Sequence, residues 1–392
     1  MDTIDRIKPA ERTIPTLDTL SASQIAAIRK IPPHDQAKPS RLDARRPASI
    51  FTDDARYALE QARVFRKLPV PVTLSVMLAK PGSVLAHDGY GVPLVLTRDK
   101  EGKVRAFLNA CQHKGSKLVE TCEPKSANRL TCPYHAWTYG LDGRLAGVPR
   151  EETFANLDKS AHDLAQLPCA ESGGIVWVIL DRHAEPDFSA LSEEVALDLE
   201  KLGLPTAHVY GRKTFDLKAN WKLVLEPFLE GYHVQRLHAA SIGDMFADSP
   251  NVVDRFGLHT RQISGKANYT PEALLDVGEN IHKVVTHAYL LFPSTVVVTS
   301  PYYISVMFIM PNATGRSTVE YFMLVPAAAT DPKVEDLHAR SYDLILKVFG
   351  TEDFRAAEIS QVGLESGALD EVVYGGLEAA IPDYYQALEQ FL

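Results

Sequence analysis

Two cysteine–histidine pairs in the first half of this sequence share the same internal order. Cys111 precedes His113, and Cys132 precedes His135, so each pair offers one thiolate and one imidazole within a few residues. Zinc sites with two cysteines and two histidines usually pair cysteine with cysteine and histidine with histidine. The alternation instead predicts a [2Fe-2S] cluster in which the cysteines hold one iron and the histidines hold the other.

A second set of candidate ligands lies in the segment 220–238. On a regular helix Glu226, Glu230 and His233 fall within roughly 60° of one another and share a stripe. His238 lies about 140° from His233, so the helix must bend or end for both to reach one metal. Non-haem iron that activates O₂ uses two histidines and one carboxylate. The segment therefore predicts two iron ligands, His233 and His238, with the carboxylate supplied from elsewhere.

The residues around both sets resemble the Rieske non-haem iron oxygenase family. Asn109-Ala-Cys-Gln-His-Lys-Gly and Cys132-Pro-Tyr-His-Ala-Trp-Thr-Tyr-Gly-Leu-Asp-Gly-Arg are similar to its two cluster loops, and 220–238 is similar to its iron-binding helix. Lys114 stands where the family usually has Arg, and Ala136 stands where it usually has Gly. Neither departure removes a ligand, so they bear on the tuning of the cluster and leave its presence expected.

The resemblance also implies roles for residues that spacing alone does not assign. The family places its third iron ligand in a Glu-Asp pair followed eight residues later by Gln, which implies Asp353 as the ligand, with Glu352 as the alternative and Gln361 as the matching Gln. Glu230 is implied as the acidic residue that links the two metal centres across a subunit boundary. Asn220, which opens the same segment, is a further candidate catalytic residue.

Membership in this family would imply an enzyme that works in an assembly. Electrons would pass from His135 of one chain through Glu230 to His233 of its neighbour, which implies a homo-oligomer, by resemblance a trimer. Each chain would hold one [2Fe-2S] cluster and one Fe(II). The sequence has no G-x-G-x-x-G fingerprint after a strand, so NAD(P)H and flavin are expected on a partner reductase, with or without a separate ferredoxin.

The reaction class follows from the two centres, but the substrate does not. We expect a terminal oxygenase that uses O₂ to hydroxylate an aromatic compound. Oxidative N- or O-demethylation, including that of a quaternary ammonium substrate, is the alternative, because it uses the same iron site. A zinc-binding protein or a protein that only transfers electrons is a remote alternative. Monooxygenation and dioxygenation, the regiochemistry and the presence of a β-subunit all stay open.

The substrate pocket is predicted to draw on strands between about residues 285 and 325. Such a pocket suits an aromatic ring, or a quaternary ammonium group held by cation–π contacts. That most of these side chains are core residues on buried strand faces is an equal alternative. The candidate lining residues are His287, Tyr289, Phe292, Tyr302, Tyr303, Phe308 and Tyr321.

The elements that must position these residues suggest an α+β protein. An N-terminal Rieske [2Fe-2S] antiparallel β-domain is expected to precede a helix-grip-like α+β catalytic domain with an antiparallel sheet. The predicted divisions are an N-terminal arm with helices at 1–66, the Rieske domain at 67–165 and the catalytic domain at 166–392. Helices are predicted at 22–30, 53–65, 189–202, 221–238, 336–349 and 381–391.

The composition of the chain indicates which binding partners and which cellular location to expect. The chain has 392 residues, a net charge of −9 and only four cysteines. The negative charge argues against nucleic acid or an anionic membrane as a partner. No long apolar run or secretory signal is apparent in the sequence, so a cytoplasmic enzyme is expected.

Overall fold

The computed structural model describes residues 16–275 and 277–392, so the first fifteen residues of the predicted arm lie outside the described part. The chain divides into two compact units. One comprises residues 65–191, and the other joins the residues up to 64 to 192–392.

The helices are short, except for the two that flank Asp353. They are α1 (Ala22–Ile28), α2 (Asp54–Glu60), α3 (Glu193–Lys201), α4 (Trp221–Leu225), α5 (Val234–Leu237), α6 (Pro332–Lys347), α7 (Phe354–Glu365) and α8 (Ala380–Glu389). Among single turns, a 3₁₀ turn spans Glu226–Leu229 and a π-helical turn spans Val348–Asp353. In the described part of the chain no helix is long and apolar enough to cross a membrane.

The strands are antiparallel throughout. They are β1 (Ala44–Pro47), β2 (Val70–Leu74), β3 (Ser83–His87), β4 (Leu94–Arg98), β5 (Val104–Leu108), β6 (Lys125–Ser126), β7 (Leu130–Thr131), β8 (Thr138–Tyr139), β9 (Leu145–Gly147), β10 (Gln166–Leu167), β11 (Cys169–Ser172), β12 (Ile175–Val178), β13 (His208–Leu217), β14 (Val252–Phe256), β15 (His259–Gly265), β16 (Val285–Leu291), β17 (Thr295–Thr299), β18 (Ile304–Ala313), β19 (Arg316–Val325) and β20 (Glu371–Tyr374).

The unit of residues 65–191 is an antiparallel β-domain, as predicted. Its sheets have the strand orders β10-β5-β4-β3-β6, β11-β12-β2 and β7-β8-β9. The predicted division at 165 differs from the structural one at 191. The apolar strand β12 pairs with β2, the first strand of this unit, so its hydrogen bonds and its buried side chains hold residues 166–191 here.

The other unit is built on a seven-stranded antiparallel sheet in the order β13-β19-β18-β17-β16-β15-β14. The described part of the predicted N-terminal arm belongs to this unit. Its strand β1 pairs with β20 near the C-terminus. Helix α7, which begins directly after Asp353, was not predicted from the sequence. The other predicted helices are present, with ends that differ by a few residues, except for 221–238.

The segment 221–238 is not one helix. Helix α4 ends at Leu225, the 3₁₀ turn follows, and Glu230 is fully extended (φ −149°, ψ 166°) before the single turn of α5. Pro227 limits the regular helix because its ring leaves no backbone N–H for an α-helical hydrogen bond. The predicted bend is therefore a complete break of the helix, placed before His233 as well as at His238.

Candidate metal centres

The two loops that carry the cysteine–histidine pairs close in the same way. In each loop the cysteine N–H donates to the carbonyl five residues ahead, at 2.8 Å in both, and its own carbonyl accepts from the N–H four residues ahead. The fourth residue after each cysteine, Gly115 in one loop and Ala136 in the other, has a positive φ (76° and 56°). This left-handed region costs a residue with Cβ about 1 kcal/mol, which explains why glycine is usual at Ala136.

The loops bring all four predicted cluster ligands together. Nδ1 of His113 lies 3.1 Å from Nδ1 of His135, and the thiols of Cys111 and Cys132 contact each other in a buried position. Burial by itself would raise the pKa of Cys132, but N–H groups of His135 and Tyr134 hold that pKa below its ordinary value. Two thiolates on one side and two imidazoles on the other are the donor set of a Rieske cluster.

Aromatic side chains enclose the two imidazoles. Trp137 stacks on His113 with ring centroids 4.8 Å apart, and Phe154 meets the same imidazole edge-on. Tyr134 stacks on His135 at 3.7 Å and is 64% exposed. Burial lowers the pKa of His113, so its ring is neutral and able to bind metal at neutral pH.

Tyr139 makes a polar contact with the cluster site. Its hydroxyl lies 3.3 Å from Sγ of Cys111 and accepts the N–H of Gln112. Because the phenol proton is then free to point at sulfur, the hydroxyl is placed to donate to a thiolate. Tyr139 itself is fully buried.

The second constellation joins His233 and His238 to Asp353. Their ligand atoms all lie within 4.8 Å of one another. Oδ1 of Asp353 is 3.5 Å from Nε2 of His233 and 3.3 Å from Nε2 of His238. Donor atoms bound at about 2.0–2.2 Å to one first-row metal, with angles near 100°, lie about 3 Å apart, so the spacing suits a shared metal.

A buried acceptor left without a partner supports the same conclusion. Oδ1 of Asp353 has no hydrogen-bond partner among the described residues, although the side chain is only 3% exposed. Burying a carboxylate oxygen without a hydrogen-bond partner costs free energy unless a cation binds to it. Two histidines and one carboxylate on one side are the donor set of non-haem iron enzymes that activate O₂. The residues present therefore fit a mononuclear iron.

Each imidazole is held on its other nitrogen by a glutamate. Nδ1 of His233 lies 2.5 Å from Oε1 of Glu230, and Nδ1 of His238 lies 2.5 Å from Oε2 of Glu352. Ser241 donates a further hydrogen bond to Glu352 at 2.7 Å. Both Nε2 atoms are thereby left facing Asp353, and carboxylates in this position orient ligand imidazoles and raise their basicity.

Asn220 ties together the segments that carry these ligands. Its Oδ1 caps α4 by accepting the N–H of Lys222, and its amide donates to the carbonyls of Phe51 and Thr314. Its own N–H donates to Oε1 of Gln361 in α7, the helix that begins after Asp353. All its polar atoms are therefore engaged within the fold, although the sequence suggested a catalytic candidate.

Glu226 does not share a stripe with Glu230 and His233, contrary to the sequence-based prediction. Because α4 ends before it, its Oε1 instead accepts hydrogen bonds from Tyr374 (2.9 Å) and Tyr385 (2.6 Å). Burial raises the pKa of Glu226 to about 7, although the two hydroxyls oppose this rise.

The register of the seven-stranded sheet places the aromatic residues predicted to line the pocket on two different faces. Paired residues in an antiparallel sheet point to the same face, and neighbours along a strand alternate. The pairs Tyr321↔Met307, Met307↔Val296 and Val296↔Leu290 define one face. Its Tyr321 ring lies 5.6 Å from Phe349, in the turn that leads to Asp353. This face is called the iron face below.

Several of the predicted pocket residues lie elsewhere. His287, Tyr289 and Phe308 have the opposite parity, and the hydroxyl of Tyr289 meets Asp198 of α3. Phe292 packs on α8, and Tyr302 is 36% exposed. These corrections leave Tyr321 and its neighbour Tyr303.

Two rings near the candidate iron ligands were not predicted, because they lie on the segments that carry these ligands and not on the strands. Phe228 precedes Glu230, and Phe349 lies in the π-helical turn. Their ring centroids are 5.6 Å apart. With Tyr321 they form a three-ring cluster beside the iron site.

Comparison with known proteins agrees with both centres. The family profile of the Rieske [2Fe-2S] domain matches residues 69–168, and that of the ring hydroxylating alpha subunit (catalytic domain) matches 204–392. The carnitine monooxygenase oxygenase subunit of Escherichia coli (strain K12) is 30% identical over 82% of this chain and 84% of its own length. The chloroplastic choline monooxygenase of Spinacia oleracea is 28% identical over 66% of this chain and 59% of its own length.

A solved structure shares the fold. The quaternary ammonium Rieske monooxygenase CntA in complex with L-carnitine superimposes with a TM-score of 0.74 at 21% identity, over 93% of this chain and all of that one. Fold and site together define an iron-dependent oxidoreductase that uses O₂. The chain belongs to the Rieske non-haem iron oxygenases, whose cofactors are a [2Fe-2S] cluster and a mononuclear iron.

Proposed function

We propose that this chain is a terminal oxygenase that hydroxylates a carbon bonded to the nitrogen of a quaternary ammonium compound. The observation that carries the proposal is the similarity, over most of both chains, to a carnitine monooxygenase subunit. The choline monooxygenase relative also acts, by name, on a quaternary ammonium compound. The aromatic hydroxylation favoured from the sequence is therefore the less supported alternative.

The three-ring cluster of Phe228, Phe349 and Tyr321 suits such a substrate. A cation within about 6 Å of aromatic faces is attracted by the ring quadrupoles, and more strongly where water is excluded. Tyr321 is fully buried and Phe349 is nearly so. The same rings would also stack on an arene, so the similarity to the relatives, and not the cluster, favours the quaternary ammonium class.

The proposed roles of the ligands follow from their contacts. His233, His238 and Asp353 hold the mononuclear iron, and Cys111, His113, Cys132 and His135 hold the cluster. The iron, when bound, supplies O₂ activation and C–H hydroxylation. Glu230 and Glu352 keep the two imidazoles oriented with Nε2 toward the metal. Asn220 acts as a positioning residue.

We further propose a homotrimer in which electrons cross between subunits. The path would run from His135 of one subunit to Glu230 of the partner subunit and on to its iron site. A flavin reductase, with or without a ferredoxin, would deliver the electrons from NAD(P)H.

Hydroxylating a methyl carbon on nitrogen consumes O₂, two electrons and two protons, and releases water. The resulting N-hydroxymethyl group then leaves as formaldehyde and a proton, which yields a tertiary amine.

A single-turnover experiment tests the substrate class without the natural reductase. Purified, iron-loaded protein is reduced with dithionite, freed of reductant and mixed with ¹⁸O₂ and one compound at a time: L-carnitine, γ-butyrobetaine, glycine betaine, choline, benzoate or anthranilate. Mass spectrometry then detects the oxidised product and its ¹⁸O. Turnover of a quaternary ammonium compound is expected. Turnover of the arenes alone would overturn the proposal in favour of ring hydroxylation.

A further inference from the structure

Lys266 is a buried cation without a carboxylate partner among the residues that the structure describes. Its side chain is 8% exposed, and its ammonium donates to the backbone carbonyl of His282 at 2.8 Å. No carboxylate forms an ion pair with it in residues 16–275 and 277–392. The other two buried cations of this unit are paired, Lys222 with Glu60 and Arg261 with Asp198.

The position of Lys266 on the sheet brings it to the iron face. Gln262 pairs with Ala288 on that face, and Ser264 and Lys266 follow at the same parity. Gln262 donates to the carbonyl of Phe228, and Ser264 donates to Asn251 at 2.6 Å. The contact between Gln262 and Phe228 places this face of β15 against the turn that precedes Glu230.

A second set of contacts joins Lys266 to α5, the turn between the two histidines. Phe246 forms an antiparallel bridge with Lys266, so their side chains share one side. The ammonium lies 5.9 Å from the centre of the Phe246 ring. Gln235 of α5 donates to the carbonyl of Phe246 at 2.8 Å.

A buried hydroxyl on the neighbouring strand β16 has no hydrogen-bond partner among the described residues. Thr286 pairs with Ser264 on the iron face and is 8% exposed, and its Oγ1 has no hydrogen-bond partner among the described residues. The ammonium has one acceptor, the carbonyl of His282, but no carboxylate partner among the described residues, and the Thr286 hydroxyl has no hydrogen-bond partner there. Both groups are costly to bury in this state. A carboxylate would accept from both.

We propose that Lys266, assisted by Thr286, binds the carboxylate of a zwitterionic substrate, so that the preferred quaternary ammonium compound is a betaine. The inference rests on the proposed function and narrows it. The three-ring cluster of Phe228, Phe349 and Tyr321 would hold the trimethylammonium end, and Lys266 would hold the anionic end. Burial lowers the pKa of Lys266 to about 8, which leaves the ammonium mostly charged at neutral pH.

Steady-state turnover of γ-butyrobetaine and of its methyl ester tests the assignment, because the ester keeps the quaternary nitrogen and loses the negative charge. Wild type should prefer the betaine over the ester by about tenfold or more in kcat/KM. Lys266→Met should lose most of that preference by lowering kcat/KM for the betaine alone, and Lys266→Arg should restore part of it. Lys283→Met, which removes an exposed lysine nearby, is the matched control.

The outcomes separate the two proposals. A wild type that oxidises no quaternary ammonium compound overturns the proposed function and this inference with it. A wild type that oxidises betaine and ester equally well overturns only the role of Lys266, even where Lys266→Met fails to fold. An equal loss for both compounds in Lys266→Met would likewise assign Lys266 to the fold and not to the carboxylate.

Discussion

Glu352 accepts a hydrogen bond from Nδ1 of His238 at 2.5 Å. The next residue, Asp353, faces the other nitrogen of the same ring, with Oδ1 3.3 Å from Nε2. Two adjacent carboxylates thus contact opposite sides of one imidazole. The π-helical turn that ends at Asp353 carries both residues and directs Glu352 to Nδ1 and Asp353 to Nε2.

Replacing Asp353 by alanine should remove the mononuclear iron and leave the cluster. Total iron should fall from about three to about two per chain, while the EPR signal of the reduced cluster persists. Metal analysis together with EPR measures both quantities. Full retention of iron would assign the ligand role to Glu352 instead.

Glu352→Gln should keep iron but bind it more weakly. Loss of a carboxylate that orients a ligand imidazole typically costs about 10–100-fold in metal affinity. The rate of iron loss to a chelator measures the effect. Ser241→Ala, which removes only the hydrogen bond to Glu352, should show a smaller change in the same direction. Equal rates in wild type and Glu352→Gln would refute the orienting role.

Glu230→Ala should retain both metals but uncouple cluster oxidation from substrate turnover, because Glu230 is the proposed bridge between subunits. Rapid mixing of reduced protein with O₂ and substrate would follow the cluster by its visible absorption. Glu230→Gln keeps an acceptor for Nδ1 of His233 and should be affected less. Normal cluster oxidation and product formation in the alanine variant would sink the bridging role.

Tyr139→Phe should lower the reduction potential of the cluster. A hydrogen bond from the phenol to Sγ of Cys111 stabilises the extra negative charge of the reduced cluster. One such bond contributes about 1 kcal/mol, which corresponds to about 40 mV for one electron. A redox titration followed by EPR measures the shift. Tyr134→Phe removes an exposed hydroxyl and should leave the potential unchanged, and an equal shift in both variants would contradict the prediction.

Glu226→Gln should stabilise the protein at neutral and alkaline pH. Burial raises the pKa of Glu226 from an ordinary 4.5 to about 7, so the folded state holds this proton more tightly than the unfolded state does. Wild type should therefore lose stability relative to the variant as the pH rises from about 4.5 to about 7, by about 3 kcal/mol in all.

Urea unfolding of the iron-loaded proteins at several pH values checks this profile. The stability difference should be absent below about pH 4.5 and complete above about pH 7. A difference that does not change with pH would instead indicate that the amide alters packing against Tyr374 and Tyr385.

Much of the chemistry was readable from short stretches of sequence. The cluster loops are local structures, since each closes on its own cysteine through backbone hydrogen bonds, and four ligands of known type in fixed order indicate the cofactor. The two histidines that flank α5 are likewise only five residues apart. The antiparallel β-domain was predicted from short β-branched runs, such as residues 93–97 and 104–108, which are separated by turn residues.

Relationships between distant parts of the chain were decided only by the tertiary structure. Whether Asp353 or Glu352 faces Nε2 depends on a contact across 114 residues between α5 and the π-helical turn. The faces of the aromatic strands depend on register, and one residue of slip would exchange Tyr321 for Phe322. Glu226 contacts Tyr374 and Tyr385 because the helix breaks after Leu225. Within the described residues, the tertiary structure brings a carbonyl and no carboxylate to the Lys266 ammonium. Local sequence determines ligand types and spacing, but long-range packing determines which groups meet.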